Sequence, residues 1–240
     1  MKNVRTKVNI IAIAAVIAVT LISIAGVGGV ARSHQSGQSN DSADYVEVRD
    51  ALRRGGLREA AKLKGHYVQD FDPNWDFGRF DIEKLTKNST IVVVGVPTQK
   101  VGSHLTRSGQ SIVTEYEVVV KEAIKGAVSQ GSTINVLLPG GRVEFEDGTS
   151  AELRTPTFEH MKVNSTYTLF LSESENDQGA YVLTGGPQGL VEIVNERTIK
   201  SHGRETDPVS AQVKDKSKES FLEEVRDSAE KWPQPGKCCR

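Results

Sequence analysis

Residues 112–124 read IVTEYEVVVKEAI, the clearest strand signal in the sequence. Ile112, Tyr116, Val118, Val120 and Ile124 fall on even positions, while Glu115, Glu117, Lys121 and then Lys125 fall on odd ones. Successive side chains of a strand point to opposite faces, so the alternation predicts one buried face and one wet face. The run is long for a strand, where roughly five or six residues is usual, so the strand is expected to bend, as in a small barrel. Gly126 should close it.

More strand signals lie on either side of this run. Upstream, STIVVVGVP (residues 89–97) is a short β-branched run typical of a strand buried on both faces, with Pro97 as its expected end. Downstream, Ile134, Val136 and Leu138 predict a strand stopped by Pro139-Gly140-Gly141. Asp147-Gly148 between short alternating segments predicts a hairpin, because its tight turn needs positive φ. STYTLFL (165–171), residues 180–183 and residues 190–194 supply three more strands, the last two separated by Gly185-Gly186-Pro187. Strands succeed one another without intervening helices. The expected fold is therefore mainly β, a small antiparallel OB-like barrel or alternatively a β sandwich, with flanking helices.

The flanks differ in composition. Lys2, Arg5 and Lys7 precede a stretch from Val8 to Ala31 that carries no charge. A spanning helix needs about 20 apolar residues, so this run predicts a membrane anchor. The small residues Gly29-Val30-Ala31 also fit a cleavage site, which would make it a signal peptide. Basic residues before the run put the N-terminus in the cytoplasm and the rest outside, in a single-pass or a secreted form. SHQSGQSNDSA (33–43) reads as a spacer. Residues 45–64 look helical, interrupted at Gly55-Gly56, and are locally basic through Arg49, Arg53, Arg54, Arg58, Lys62 and Lys64. Such a stretch fits either a solvated helix face or contact with anionic lipid or a polymer. Residues 70–80 are a turn-rich aromatic connector, 200–217 a polar loop, and 217–230 a helix capped by Ser217 or alternatively by Ser220. The expected layout is 1–32 anchor or signal, 33–44 spacer, 45–80 helix and connector, 81–200 β domain, 201–230 loop and helix, and 231–240 a disordered tail.

The pattern IVVVGVP, TEYEVVVKEAIKG, INVLLPGG, STYTLFLSES and YVLTGGPQGLVEI resembles a group of poorly characterised exported bacterial proteins, and its order is similar to the netrin and tissue-inhibitor-of-metalloproteinase module. The resemblance covers residues 89–194 and implies an OB-like barrel. It also raises peptidase inhibition, although that family acts through an N-terminal cysteine and is braced by disulfides, and neither occurs at matching positions here.

No catalytic, cofactor or metal site residue is assigned from the sequence. His34, His66, His104, His160 and His202 lack a metal-binding partner at i+3 or i+4, and Glu159 precedes His160 directly, which puts the two side chains on different faces. Glu144, Glu146, Asp147 and Glu152 gather near the hairpin without a calcium-loop spacing. Lys plus Arg is 30 and Asp plus Glu is 31, a balance that argues against a nucleic-acid binder. The two cysteines, Cys238 and Cys239, are adjacent and cannot staple distant parts of the fold; an intermolecular disulfide giving a dimer is one expectation. The sequence thus points to an extracytoplasmic binding or interaction module of unknown ligand and not to an enzyme, with residues 99–110 and 140–148 as expected rim loops. The alternatives are a peptidase-inhibitor-like protein and an envelope hydrolase using His104 or His160.

Overall fold

The structure is a computed structural model and describes residues 39–71 and 78–233. The chain divides into units Met1–Ser39 and Asn40–Arg240, and the described residues belong to the second apart from Ser39. The expected anchor or signal, the first half of the spacer, His34, and the Cys238-Cys239 pair lie outside the described residues. Among the described residues no helix is long and apolar enough to cross a membrane.

The fold is mainly β, with two sheets and flanking helices. Helix α1 (Ser39–Lys64) starts inside the stretch whose composition reads as spacer, and it breaks at Gly55 and Gly56 as the sequence predicts. Gly56 needs its φ of 72° and its missing Cβ, which would otherwise sit 2.2 Å from the Gly109 carbonyl oxygen. Strand β1 (His66–Asp70) follows, and then α2 (Ile82–Asn88), capped by Asp81, whose carboxylate accepts from the Lys84 amide.

Strand β2 (Ile91–Leu105) corrects an expectation: Pro97 does not end it. Its ladder to the next strand, β3 (Ile112–Lys125), skips Ile124 and Lys121 on one side and Thr98 and Val101 on the other. Such bulges bend and twist the pair. A proline is tolerated there because β2 has lost its other neighbour after Gly95, so the absent N–H breaks no second ladder. Residues 99–105, expected as rim loop, are therefore strand.

Along β3 the even positions from Ile112 to Val120 are buried, as the alternation predicts. The wet face is not kept to the end. The bulges shift the parity, so Lys125 pairs with Val92 and is itself buried, and Ile124 packs on the second cluster described below.

Strand β4 (Thr133–Pro139) pairs antiparallel with β3. The Pro-Gly-Gly turn leads to β5 (Gly141–Glu144) and, across the Asp147-Gly148 turn, to β6 (Ser150–Arg154). Residues 141–144, expected as rim, thus belong to a separate sheet of order β1-β6-β5. Strands β7 (Thr166–Glu173), β8 (Ala180–Leu183), β9 (Leu190–Asn195) and β10 (Thr198–Ser201) complete a seven-stranded sheet of order β10-β9-β7-β2-β3-β4-β8, with β7 also pairing β8. The sheets are not wholly antiparallel: β1 runs parallel to β6 and β4 parallel to β8. The polar stretch after Lys200, expected as loop, holds the end of β10 and a short helix α3 (Pro208–Val213). The last helix, α4 (Lys218–Lys231), is capped by Ser217 as expected. The expected disordered tail starts too early: Trp232 is held over Lys87, with its ring centroid 4.1 Å from Nζ.

Three apolar clusters hold these parts. The first lies on the inner face of the large sheet and includes Tyr116, Val118, Val136, Tyr167, Leu169 and Leu171. The second fills the opposite face of β2, β7 and β9 beneath α2, α3 and α4, with Val92, Phe170, Val191 and Phe221. Ile91 and Val93 enter the first cluster and Val92 the second, so β2 begins as a strand buried on both faces. The third joins Leu57 and Ala61 of α1 to Ile112, Phe145 and Leu153. Truncating a fully buried aromatic such as Phe221 to alanine costs about 3–5 kcal/mol in cores of this kind.

Candidate functional site

An apolar groove of about 310 Å³ opens on the outer face of β3, β4 and β8. The ladders build its floor. Glu115 pairs Leu137, and Leu137 pairs Val182, so these side chains project on one face, together with Val113 two residues before Glu115. Phe71, Phe158 and Pro187 add walls, and Ser111 contributes a polar group. The Gly185-Gly186 turn presents Pro187 to the groove with φ of 67° and 60°, a left-handed path open to glycine. Leu137 is only 4% exposed, although it lies on the outward side of its strand.

A larger hollow of about 480 Å³ lies between β10 and α3 and is lined by Ser201, Gly203, Glu205, Ser210 and Lys214 among others. Ser210 donates to Ser201 at 2.9 Å, so the two hydroxyls answer each other instead of pointing to a guest.

The histidines do not converge on either cavity as a set. His160 Nε2 is 2.9 Å from the Pro139 carbonyl oxygen. A carbonyl only accepts, so Nε2 carries the proton, and Nδ1 is left to accept from the Tyr116 hydroxyl at 3.3 Å. Burial lowers the His160 pKa, against the raising effect of the Pro139 hydrogen bond. Glu159, its neighbour in sequence, turns the other way to Lys162 and Lys200, whose hydrogen bonds hold its carboxyl at about 2. The two adjacent side chains thus occupy different faces, as the spacing predicts.

His104 is partly exposed and stands 3.8 Å from Asp177. As the register partner of Val113 it projects on the groove face. His66 contacts Ser150 at 2.7 Å and lies 3.9 Å from Glu152. His202 is buried against Tyr167, with Nε2 3.6 Å from Glu192 and no hydrogen bond to it. Burial lowers its pKa, and Lys200 adds to that.

The hairpin carboxylates are likewise separated. Glu144 pairs Arg142, Glu152 pairs Arg154, and Asp147 accepts from Thr149. Among the described residues no three His, Cys, Asp or Glu side chains gather as a metal-binding group.

Sequence reasoning missed the groove because its walls come from distant segments. One signal was present: Val113 is apolar on the odd, outward set of β3, where Glu115 and Glu117 follow. No protein-family model matches this chain, and no curated protein matches it.

Proposed function

We propose that this chain is an extracytoplasmic binding module, membrane-anchored or secreted, whose β domain closes as a small OB-like barrel and takes an apolar ligand group in the groove over β3, β4 and β8. The observation that carries the reading is the groove itself, a concave apolar surface of about 310 Å³ within the size range of ligand pockets. Val113 and Val182 stay only half-buried on the outside of the sheet, where apolar surface is costly in water unless something covers it.

The barrel reading rests on the ladders. β2 pairs β3, β3 pairs β4, β4 pairs β8, β8 pairs β7, and β7 pairs β2 again. The parallel β4–β8 contact in an otherwise antiparallel circuit fits an OB-like order. The address rests on the charge-free residues 8–31 and the three cations before them.

Nile red, an uncharged apolar dye, tests the ligand reading. Its emission is expected to shift to the blue and strengthen with the wild-type chain. Val182→Asp, a change at a half-buried position, should weaken dye affinity by at least about tenfold, or 1.4 kcal/mol, because a charge in an apolar groove stays desolvated. The melting temperature serves as the fold control. Dye binding that is untouched by both Val182→Asp and Val113→Asp would sink the proposal.

A further inference from the structure

We propose that the outward face of α1 lies against an anionic lipid surface. The inference rests on the reading that residues 8–31 sit in a membrane, and it assigns a second contact to the folded unit. From Tyr45 to Lys64 the chain carries six cations and three carboxylates, in a protein whose net charge is −1. All six cations are exposed. Lys62 pairs Glu59 and Arg58 covers the Phe145 ring at 4.8 Å, whereas Arg49, Arg53 and Arg54 have no ion-pair partner among the described residues.

Their placement is ordered. The inward face of α1 is taken by Ala51, Leu57, Ala60 and Ala61, and Leu57 also donates its amide to Gly109. Residues three and four apart share a helix face, so Tyr45 and Val46 stand in line with Arg49 and Arg53 on the outward side. Tyr45 is 69% exposed and Val46 is 44% exposed. Guanidinium groups beside an aromatic ring and an aliphatic side chain match a bilayer interface, where phosphates overlie acyl carbon. A soluble polyanion would satisfy the cations and leave Tyr45 and Val46 bare. In the sequence only residues 32–38 separate the charge-free run from α1.

The test uses the full chain with vesicles of phosphatidylcholine alone, or of phosphatidylcholine with about one third phosphatidylglycerol as the anionic component. Co-sedimentation reads insertion, and amide hydrogen exchange over residues 45–54 reads the helix contact. Exchange there is expected to slow only when phosphatidylglycerol is present. The triple variant Arg49→Glu/Arg53→Glu/Arg54→Glu should lose that slowing. At roughly fivefold per cation, even neutralising three cations weakens the contact by about a hundredfold. High salt should mimic the variant. Insertion with exchange indifferent to phosphatidylglycerol overturns the inference and leaves the anchor reading standing. A chain that sediments only with anionic vesicles, and not as the triple variant, supports the inference while the anchor reading fails. Sedimentation with neither kind of vesicle overturns both.

Discussion

The ammonium of Lys125 lies 2.6 Å from the carbonyl oxygen of Thr86 and 3.2 Å from that of Lys87. The last residue of β3 thus closes the C-terminal end of α2, where carbonyls have no partner within the helix and the helix dipole favours a cation. Burial lowers the lysine's pKa, consistent with an ammonium withdrawn from water and held by carbonyls alone.

Replacing Lys125 with methionine keeps the length and removes the donor. One buried and one partly buried carbonyl contact are left unmade, and a loss of about 1–3 kcal/mol in urea unfolding is expected. Lys121→Met, at an exposed position of the same strand, should stay within about 0.5 kcal/mol of the wild type. Equal effects at the two positions would refute the capping role.

Gly141 has φ 131°, and a Cβ there would stand 2.3 Å from Ser103 Oγ and 2.5 Å from Thr114 Oγ1. The Thr114 hydroxyl is itself committed, since it donates to the Gly140 carbonyl at 2.6 Å while Ser103 donates to it. Gly141→Ala therefore strains the backbone and displaces a partly buried hydroxyl pair. A cost of about 1–3 kcal/mol is expected from the conformation alone. Gly148→Ala, with φ 79° and open space around it, isolates that backbone cost, so the difference between the two melting temperatures reads the clash.

Burial holds His160 and His202 below the ordinary imidazole pKa. The folded chain therefore binds fewer protons than the unfolded chain as pH drops. Their contribution to stability is complete above the unfolded value near 6.5 and is lost as pH falls from there toward the folded values. Lys200 pushes the same way at His202, while Glu192 and Glu159 oppose it, and Tyr167 packs on the ring. Lys100 also lowers His160. Urea midpoints are expected to decline from about pH 7 to 5.5, a window above the carboxylate range. His202→Gln should flatten the slope. A slope unchanged in the double variant His160→Gln/His202→Gln would show that other groups set it.

Arg226 of α4 grips Glu122 of β3 through Nε at 2.9 Å and Nη2 at 3.2 Å. Both side chains are more than a third exposed, so water screens the pair. A double-mutant cycle is expected to give a coupling of about 0.5–1 kcal/mol that shrinks in high salt. A coupling above about 2 kcal/mol that ignores salt would mean the pair is far less solvated than its exposure indicates.

The alternation of β3, the Asp147-Gly148 turn, the Gly55-Gly56 break and the Ser217 cap were legible because each is a local rule written in a few consecutive residues. The elements that were not legible lack such a rule. The β1 segment HYVQD has no clear period and is held by a partner 84 residues away. The β10 segment TIKS is short, polar and defined by its pairing with β9. Pro97 reads as a stop until the loss of the β7 neighbour is known. The burial of Lys125 depends on bulges at Ile124 and Lys121, which no periodic reading of β3 contains. The groove is the extreme case, since Phe71, Val113, Leu137, Val182 and Pro187 meet only through tertiary structure.

The pairing of β1 with β6 also orders events in time. Among the described residues β1 is the first strand, and its sole ladder there is to residues 150–154. Whether the chain emerges from a ribosome or is threaded through a translocation pore, N-terminus first, β1 waits for more than eighty residues to arrive before it has a place. Closing so long a loop is entropically costly and belongs late in folding. The third cluster, which needs Phe145 and Leu153 to receive Leu57 and Ala61, waits with it. Helix α1 thus stays unpacked until residues 145–153 have arrived, and until then its apolar side is open to whatever chaperone or membrane stands at the exit.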